Sequence, residues 1–285
     1  FDQTGHEIPD LTVAPGEGEK SLLVTLAQPL ENGTYSVSWK NLSSADGHPA
    51  QGYFTFTVGT QADVATVAAP VMDASTGAPL WLQSVARWLV LLALAAAVAV
   101  WPVWLLVLWP SIRADNALTA ELAPRARKLG IGAVIAALLA NLLALAVQAT
   151  NIDGGSLMTR IGETVSDTRY GRLWLARVGL LLLMGVAYWL MPWRDTIKKW
   201  PLTAIGLVVA ALLPLPVSMN AHASALESGR RTAIAFDYVH TLSASVWFGG
   251  LILLFGVLIR ALRVDIDRRV VLARALPRFS AVALV

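Results

Sequence analysis

The chain has 285 residues, 56% of them apolar, with a mean hydropathy of +0.59 and 11 Trp, while charged residues make up only 14%. This composition excludes an ordinary soluble domain and marks an integral membrane protein whose first partner is the lipid bilayer. The formal net charge of +3 gives no reason to expect nucleic acid, because the basic residues sit between apolar runs, and the absence of Cys excludes disulfides, CxxC redox chemistry and thiolate metal ligands.

Residues 1–60 differ from all that follows. Segments 21–27, 34–40 and 52–58 are short, β-branched and aromatic, and Tyr35, Val37 and Trp39 alternate to one face. Pro29, Asn32 and Gly33 supply a turn between the first two. Three or four such strands expose long edges and bury little, so this sheet needs partner strands, most easily placed upstream of Phe1. The chain opens at Phe1 without an initiator Met or a signal segment, and stops at Val285 inside another apolar stretch; it reads as an interior piece of a longer protein. Residues 61–80 are small, polar and Pro-containing, and read as a linker.

Residues 81–285 read as a membrane domain. Apolar runs at about 82–109, 129–150, 172–192, 201–220 and 233–260 are each long enough to cross a ~30 Å hydrocarbon core, and a sixth is expected to begin near Phe279. Pro102, Pro214 and Pro216 are expected to kink their helices. The loops 110–128, 191–200 and 260–278 hold most of the Arg and Lys, whereas 151–171 and 221–232 hold few. The basic set is expected to face the cytoplasm, which places the β portion and His222 outside.

Two constellations carry chemistry. In the loop Asp46-Gly47-His48-Pro49 a carboxylate and an imidazole are separated by one Gly, which permits the tight turn that lets both converge on a metal. Such N and O donors suit Cu(II), and a solvated β-turn is the alternative. His6 has no spaced partner and reads as a surface residue.

The second constellation lies in the membrane. Asp237 and His240 are spaced i, i+3 on one face of the fifth run, where a carboxylate at mid-membrane depth costs ~2.5–3.5 kcal/mol. Met219 and His222, also i, i+3, end the fourth run. Thioether suits Cu(I) and imidazole suits both oxidation states. His240 falls ~12 Å into its helix, within reach of His222 if the loop 221–232 brings the helices together. Structural polar packing between Asp237 and His240 is the alternative. Arg177 either snorkels to the headgroups or pairs with Asp237. Trp81, Trp88, Trp101, Trp104, Trp109, Trp189, Trp193 and Trp200 fall near helix ends and read as interface anchors. Trp247 instead lies well inside its helix, beside Gly249 and Gly250, which allow close helix contact.

The stretch with Tyr35, Val37, Trp39, Ser44, Asp46, Gly47, His48, Pro49, Gly52, Phe54, Phe56 and Val58 resembles the C-terminal half of the copper resistance protein C family (CopC), periplasmic β-sandwich copper carriers. That resemblance implies a partial Ig/cupredoxin-like β-sandwich with Asp46 and His48 as Cu(II) ligands. It also implies a further ligand from an N-terminal His that this chain does not contain. The segments SMNAHA and DYVHTLSASVWFGGL, together with Tyr170, Gly171, Trp174 and Arg177 in DTRYGRLWLAR, resemble the copper resistance protein D family (CopD), multi-helix membrane proteins linked to copper uptake and often fused behind CopC.

The expected fold is therefore mostly α, a multi-pass transmembrane bundle preceded by a partial extracytoplasmic β-sandwich, in the cytoplasmic membrane. The expected function is copper binding and transport, with His222 and His240 as membrane ligands, Met219 as a third and Asp237 orienting His240 or neutralising the ion. A periplasmic copper carrier is a candidate partner. A membrane haem or copper redox protein, with His222 and His240 as axial ligands, is one alternative. A copper-tolerance sensor or anchor without transport is another. No Walker-type loop, P-type phosphorylation motif or nucleophile elbow is present in the sequence, so a non-enzymatic role is expected.

Overall fold

The computed structural model describes residues 1–17, 21–43, 49–59, 77–194, 200–226, 228–259 and 268–284. Its contacts divide the chain into two units, one of residues 1–43 and 48–75 and the other of residues 44–47 and 76–285.

In the first unit, β1 (Leu11–Pro15) and β2 (Leu22–Leu26) form one antiparallel pair, and β3 (Gly33–Leu42) and β4 (Pro49–Val58) form another. Cross-strand side chains fix the second register. Tyr35 lies opposite Phe56 and stacks on it with ring centroids 5.7 Å apart, while its hydroxyl donates to the Glu31 carbonyl at 3.0 Å. Trp39 lies opposite Gly52, and a Cβ on Gly52 would fall 2.6 Å from the indole, so the ring lies over the glycine backbone. Phe1 extends the β3 edge by exchanging N–H···O bonds with Ser36 in both directions, each 2.9 Å. Little is buried: Val13, Leu22, Leu23 and Phe54 all remain exposed. β1 is a strand that the alternation in the sequence did not single out, since all of its residues are exposed.

The Asp2 carboxylate accepts from the Thr4 hydroxyl at 2.7 Å, the Thr4 N–H at 2.8 Å and the His6 N–H at 2.9 Å. These bonds, that from the Thr4 hydroxyl foremost, hold its pKa below the ordinary 3.8. Because the folded value is the lower one, this contribution is present above the unfolded pKa and fades as pH falls through the folded one. A carboxyl NMR titration is expected to give Asp2 a midpoint below 3.8, and Thr4→Val should move it upward.

The second unit is helical. α1 (Leu80–Val103) runs through a π-helical turn (Trp104–Leu108) into α2 (Trp109–Ile112), making one 33-residue span. α3 (Asn116–Ala149) starts on Asp115, whose side chain accepts from the N–H groups of Ala117 and Leu118 at 2.9 and 3.0 Å. Ser156 caps α4 (Leu157–Asp167), and Thr168 caps α5 (Arg169–Leu190). α6 (Trp200–Leu212) and α7 (Leu215–Ser218) form one span broken at Pro214. A 3-10 turn (His222–Ala225) leads to α8 (Arg230–Leu254), which ends in a second π turn (Phe255–Ile259); α9 (Arg268–Ala283) follows. Five of these stretches are long and apolar enough to cross a bilayer: Leu80–Ile112, Asn116–Ala149, Arg169–Leu190, Trp200–Ser218 and Arg230–Val257.

α1 is the central helix and contacts α3, α6 and α8. Its run from Leu94 to Trp101 is apolar and, apart from the half-buried Ala96, buried on every side, as a helix enclosed by others must be. Gly249 of α8 rests directly on it: a Cβ there would fall 2.1 Å from the Ala95 carbonyl oxygen and 2.7 Å from the Ala99 Cβ. Gly250 similarly accepts the Phe279 ring of α9. α3 and α5 run antiparallel, with Gly130 against Tyr188, Val134 against Gly185 and the Trp174 indole donating to the Asn141 carbonyl at 2.9 Å.

Several sequence expectations change. The last helix begins by Arg268 and not near Phe279, because its first turns are basic and invisible to an apolar-run count. α3 begins at Asn116 and not near 129, its charged first turns holding an Arg125–Glu121 pair at 2.9 Å. The segment 151–171 contains the helix α4. Trp101, Trp104 and Trp193 are not interface anchors: they are 0%, 0% and 5% exposed and form an edge-to-face cluster, with centroids 5.0 Å (Trp101–Trp193) and 5.6 Å (Trp104–Trp193) apart. The Trp101 indole donates to the Thr203 carbonyl and that of Trp193 to the Tyr188 carbonyl, while the Tyr188 hydroxyl donates to the Ala97 carbonyl. Trp81, Trp88, Trp189 and Trp200 are exposed, as anchors would be.

Candidate metal centre

Asp46 and His48 lie outside the described residues. The strands β3 and β4 that flank them in sequence are paired up to Leu42 and Pro49.

In the membrane unit, Met219 and His222 lie in the segment between α7 and α8, whereas Asp237 and His240 lie about two and nearly three turns into α8. α7 and the 3-10 turn both contact α8. Met219 and Asn220 are half-buried, and the Asn220 Oδ1 is buried with no hydrogen-bond partner. His222 opens the 3-10 turn and is exposed. Asp237 is half-buried and His240, one turn further along α8, is exposed. Among the described residues no group of three or more His, Asp or Glu side chains closes around a metal-sized point. The structure therefore places an exposed imidazole on each of two contacting elements, and among the described residues it does not close them with Asp237 into one cluster.

Arg169 organises the end that holds Met219 and His222, and was not singled out from the sequence. Its guanidinium donates to the Met219 carbonyl at 2.9 Å and to the Ser224 hydroxyl at 3.4 Å, clamping the segment between α7 and α8 to the first turn of α5. The signal was its position, directly after the Thr168 cap in DTRYGRLW. Gly171 sits where a Cβ would fall 2.2 Å from the Thr164 carbonyl oxygen, so the α4–α5 corner admits only glycine without distortion.

Arg177 neither reaches the surface nor pairs with Asp237. It is 7% exposed and lies with Tyr170 near its guanidinium, and its Nε has no hydrogen-bond partner. The antiparallel register of α3 and α5 sets it level with Asn141, which is fully buried with its Oδ1 unpaired. A fixed positive charge thus sits between these helices, where it disfavours any passing cation. Trp247 is 51% exposed, whereas Gly249, two residues on and so on the far side of α8, is buried against α1.

Residues 1–59 match the CopC domain, and residues 72–232 match the N-terminal domain of copper resistance protein D-like proteins. The chain belongs to the CopC/CopD copper resistance family. The CopC match begins at the first residue and so takes in β1 and β2 as well as the stretch whose motif was legible. The chain is 26% identical over 252 residues to the copper transport protein CutJ of Bacillus subtilis (strain 168), covering 85% of this chain and 43% of that protein. It is 50% identical over 46 residues to copper resistance protein C of Escherichia coli, 16% of this chain and 36% of the relative. With copper resistance protein C of Xanthomonas campestris pv. juglandis it shares 41% over 58 residues, 19% and 45% of the two chains. The chain spans less than half the length of each of these relatives. No solved structure gives a significant match.

Proposed function

We propose that this chain captures copper outside the cytoplasmic membrane and hands it to a helical bundle that carries it inward. The carrying observation is the joint match: a CopC domain over 1–59 and a CopD-like domain over 72–232 in one chain, in a relative of a protein named for copper transport. The domain division proposed is 1–60 for the β-sandwich part, 61–80 for the linker and 81–285 for the membrane part. The distribution of Arg and Lys supports a cytoplasmic placement of the loops 110–128, 191–200 and 260–278, with the β-sandwich and the His222 end facing outward.

In this reading Asp46 and His48 hold Cu(II), and the ion passes as Cu(I) or Cu(II) to His222, Met219 and His240. Asp237 is the positioning group for His240 or offsets the ion's charge. Arg177 directs the route: its charge between α3 and α5 keeps a cation on the α7–α8 side, where the imidazoles are. The role is binding and transport, with no chemical transformation assigned to any residue. The copper ion is cargo, a periplasmic copper carrier is the donor, and the lipid bilayer is the surrounding partner.

The test is uptake of radioactive copper by cells producing the chain, with His240→Ala and His222→Ala compared with the unsubstituted protein. Both substitutions are expected to bring uptake close to that of cells without the chain. Asp237→Asn should weaken copper binding by the purified protein ~10-fold or more. Uptake that is unchanged in His240→Ala would remove the membrane imidazoles from the pathway.

A further inference from the structure

At the opposite end of the bundle from His222, α3 and the end of α5 enclose a groove of about 650 Å³. Its floor is apolar, formed by Ala123, Ile131 and Met191 with the rings of Trp189 and Trp193. Its rim carries Arg127, Lys128 and Arg194, and no acidic residue lines it among the described residues. A cavity with a greasy floor and a cationic rim, placed where a membrane helix leaves the hydrocarbon, matches the amphipathic shape of a phospholipid.

The arginine in the middle is pre-set for an anion. Arg127 Cζ lies 4.7 Å from the centroid of the Trp189 ring, which fixes the guanidinium plane without using its hydrogen-bond donors. Its Nε is buried and has no hydrogen-bond partner. An oxyanion in the groove would receive the terminal N–H groups of this guanidinium and neutralise a site that otherwise gathers three like charges. The neighbouring acid, Glu121, is engaged with Arg125 at 2.9 Å and does not line the groove.

We propose that this groove binds the phosphate headgroup of an anionic phospholipid, with one acyl chain lying along Ile131 and Trp189. The occupant is lipid and not free phosphate because the apolar floor has no use for an inorganic ion, whereas a chain covers it. Nothing in this proposal depends on copper.

The experiment is native mass spectrometry of the whole chain purified in detergent and supplemented with phosphatidylglycerol or phosphatidylcholine. The unsubstituted protein should retain phosphatidylglycerol preferentially, and millimolar inorganic phosphate should not displace it. Each cation removed, by Arg127→Gln, Lys128→Gln or Arg194→Gln, should lower retention roughly fivefold, and the triple variant should treat the two lipids alike. Arg113→Gln, a cation near Trp109 and outside the groove, should leave retention unchanged. Where the triple variant is not monodisperse, Arg194→Gln at an exposed position reads the same effect. Equal retention of both lipids by the unsubstituted chain, full retention by the charge variants, or displacement by phosphate would each overturn the assignment.

Discussion

Gly249→Leu is expected to separate α8 from α1 and to abolish the folded bundle at ordinary temperature. A Cβ at this position would fall 2.1 Å from the Ala95 carbonyl oxygen and 2.6 Å from its carbon, and the obstruction is backbone that cannot swing aside as a side-chain tip would. Overpacking of this kind costs ~3 kcal/mol or more when the neighbour is a rigid helix. The loss falls on one of the largest helix contacts in the unit, since α1 is the helix around which α3, α6 and α8 assemble. Heat-induced loss of the monodisperse species in detergent measures it. Gly132 and Gly179 supply the contrast: a Cβ on either meets nothing within 4 Å. Gly132→Ala and Gly179→Ala should be neutral or stabilising by up to ~1 kcal/mol, because only helix propensity changes. A Gly249→Leu protein as heat-stable as Gly132→Ala would refute the direct α1–α8 backbone contact.

Trp193→Ala is expected to cost ~3–5 kcal/mol, the range for removing a large aromatic side chain from a core. Trp193 lies beyond the end of α5, yet its ring meets Trp101, Trp104 and Tyr188 with centroids 5.0, 5.6 and 5.7 Å away. It therefore joins the last turn of α5 to the middle of the long first span. Trp193→Phe separates ring from hydrogen bond: it keeps most of the buried area and loses only the indole donation to the Tyr188 carbonyl, at ~1 kcal/mol. Thermal midpoints in the order unsubstituted, Phe, Ala are expected. An Ala variant no less stable than the Phe variant would mean that the ring is not a core element.

The sequence shows the spans and hides their ends. Runs of apolar residues locate all five because lipid requires an unbroken apolar length. Such runs say nothing about helix that continues into charged sequence, as the first turns of α3 do around Glu121 and Arg125. α4 escaped for a related reason: it alternates Arg160 and Glu163 with Leu157, Met158 and Ile161, too polar for a span and too short for a long periodic signal. Trp101 and Trp104 looked like headgroup anchors because the first run was expected to end near 109. The π turn carries that span to Ile112 and places both rings inside the bundle. The metal candidates were legible as residue types at helical spacing. Their exposure was not, because which side of a helix faces its neighbours is decided by where glycines such as Gly249 let backbones meet. Arg169 illustrates the remaining gap: a cation next to a helix start reads as loop charge until the carbonyl it holds, that of Met219, is placed by the fold.

The break between α6 and α7 leaves backbone carbonyls without their helical partners, since Pro214 and Pro216 carry no N–H. The Tyr238 hydroxyl of α8 donates to one carbonyl at this break, that of Ala211, at 2.9 Å. Tyr238 is the residue next to Asp237, and the broken span ends at the segment holding Met219 and His222. The turn of α8 that carries Asp237 is thus hydrogen-bonded to the break in the neighbouring span. A lengthwise shift of α8 would strain this bond and load the break that precedes the segment holding Met219 and His222.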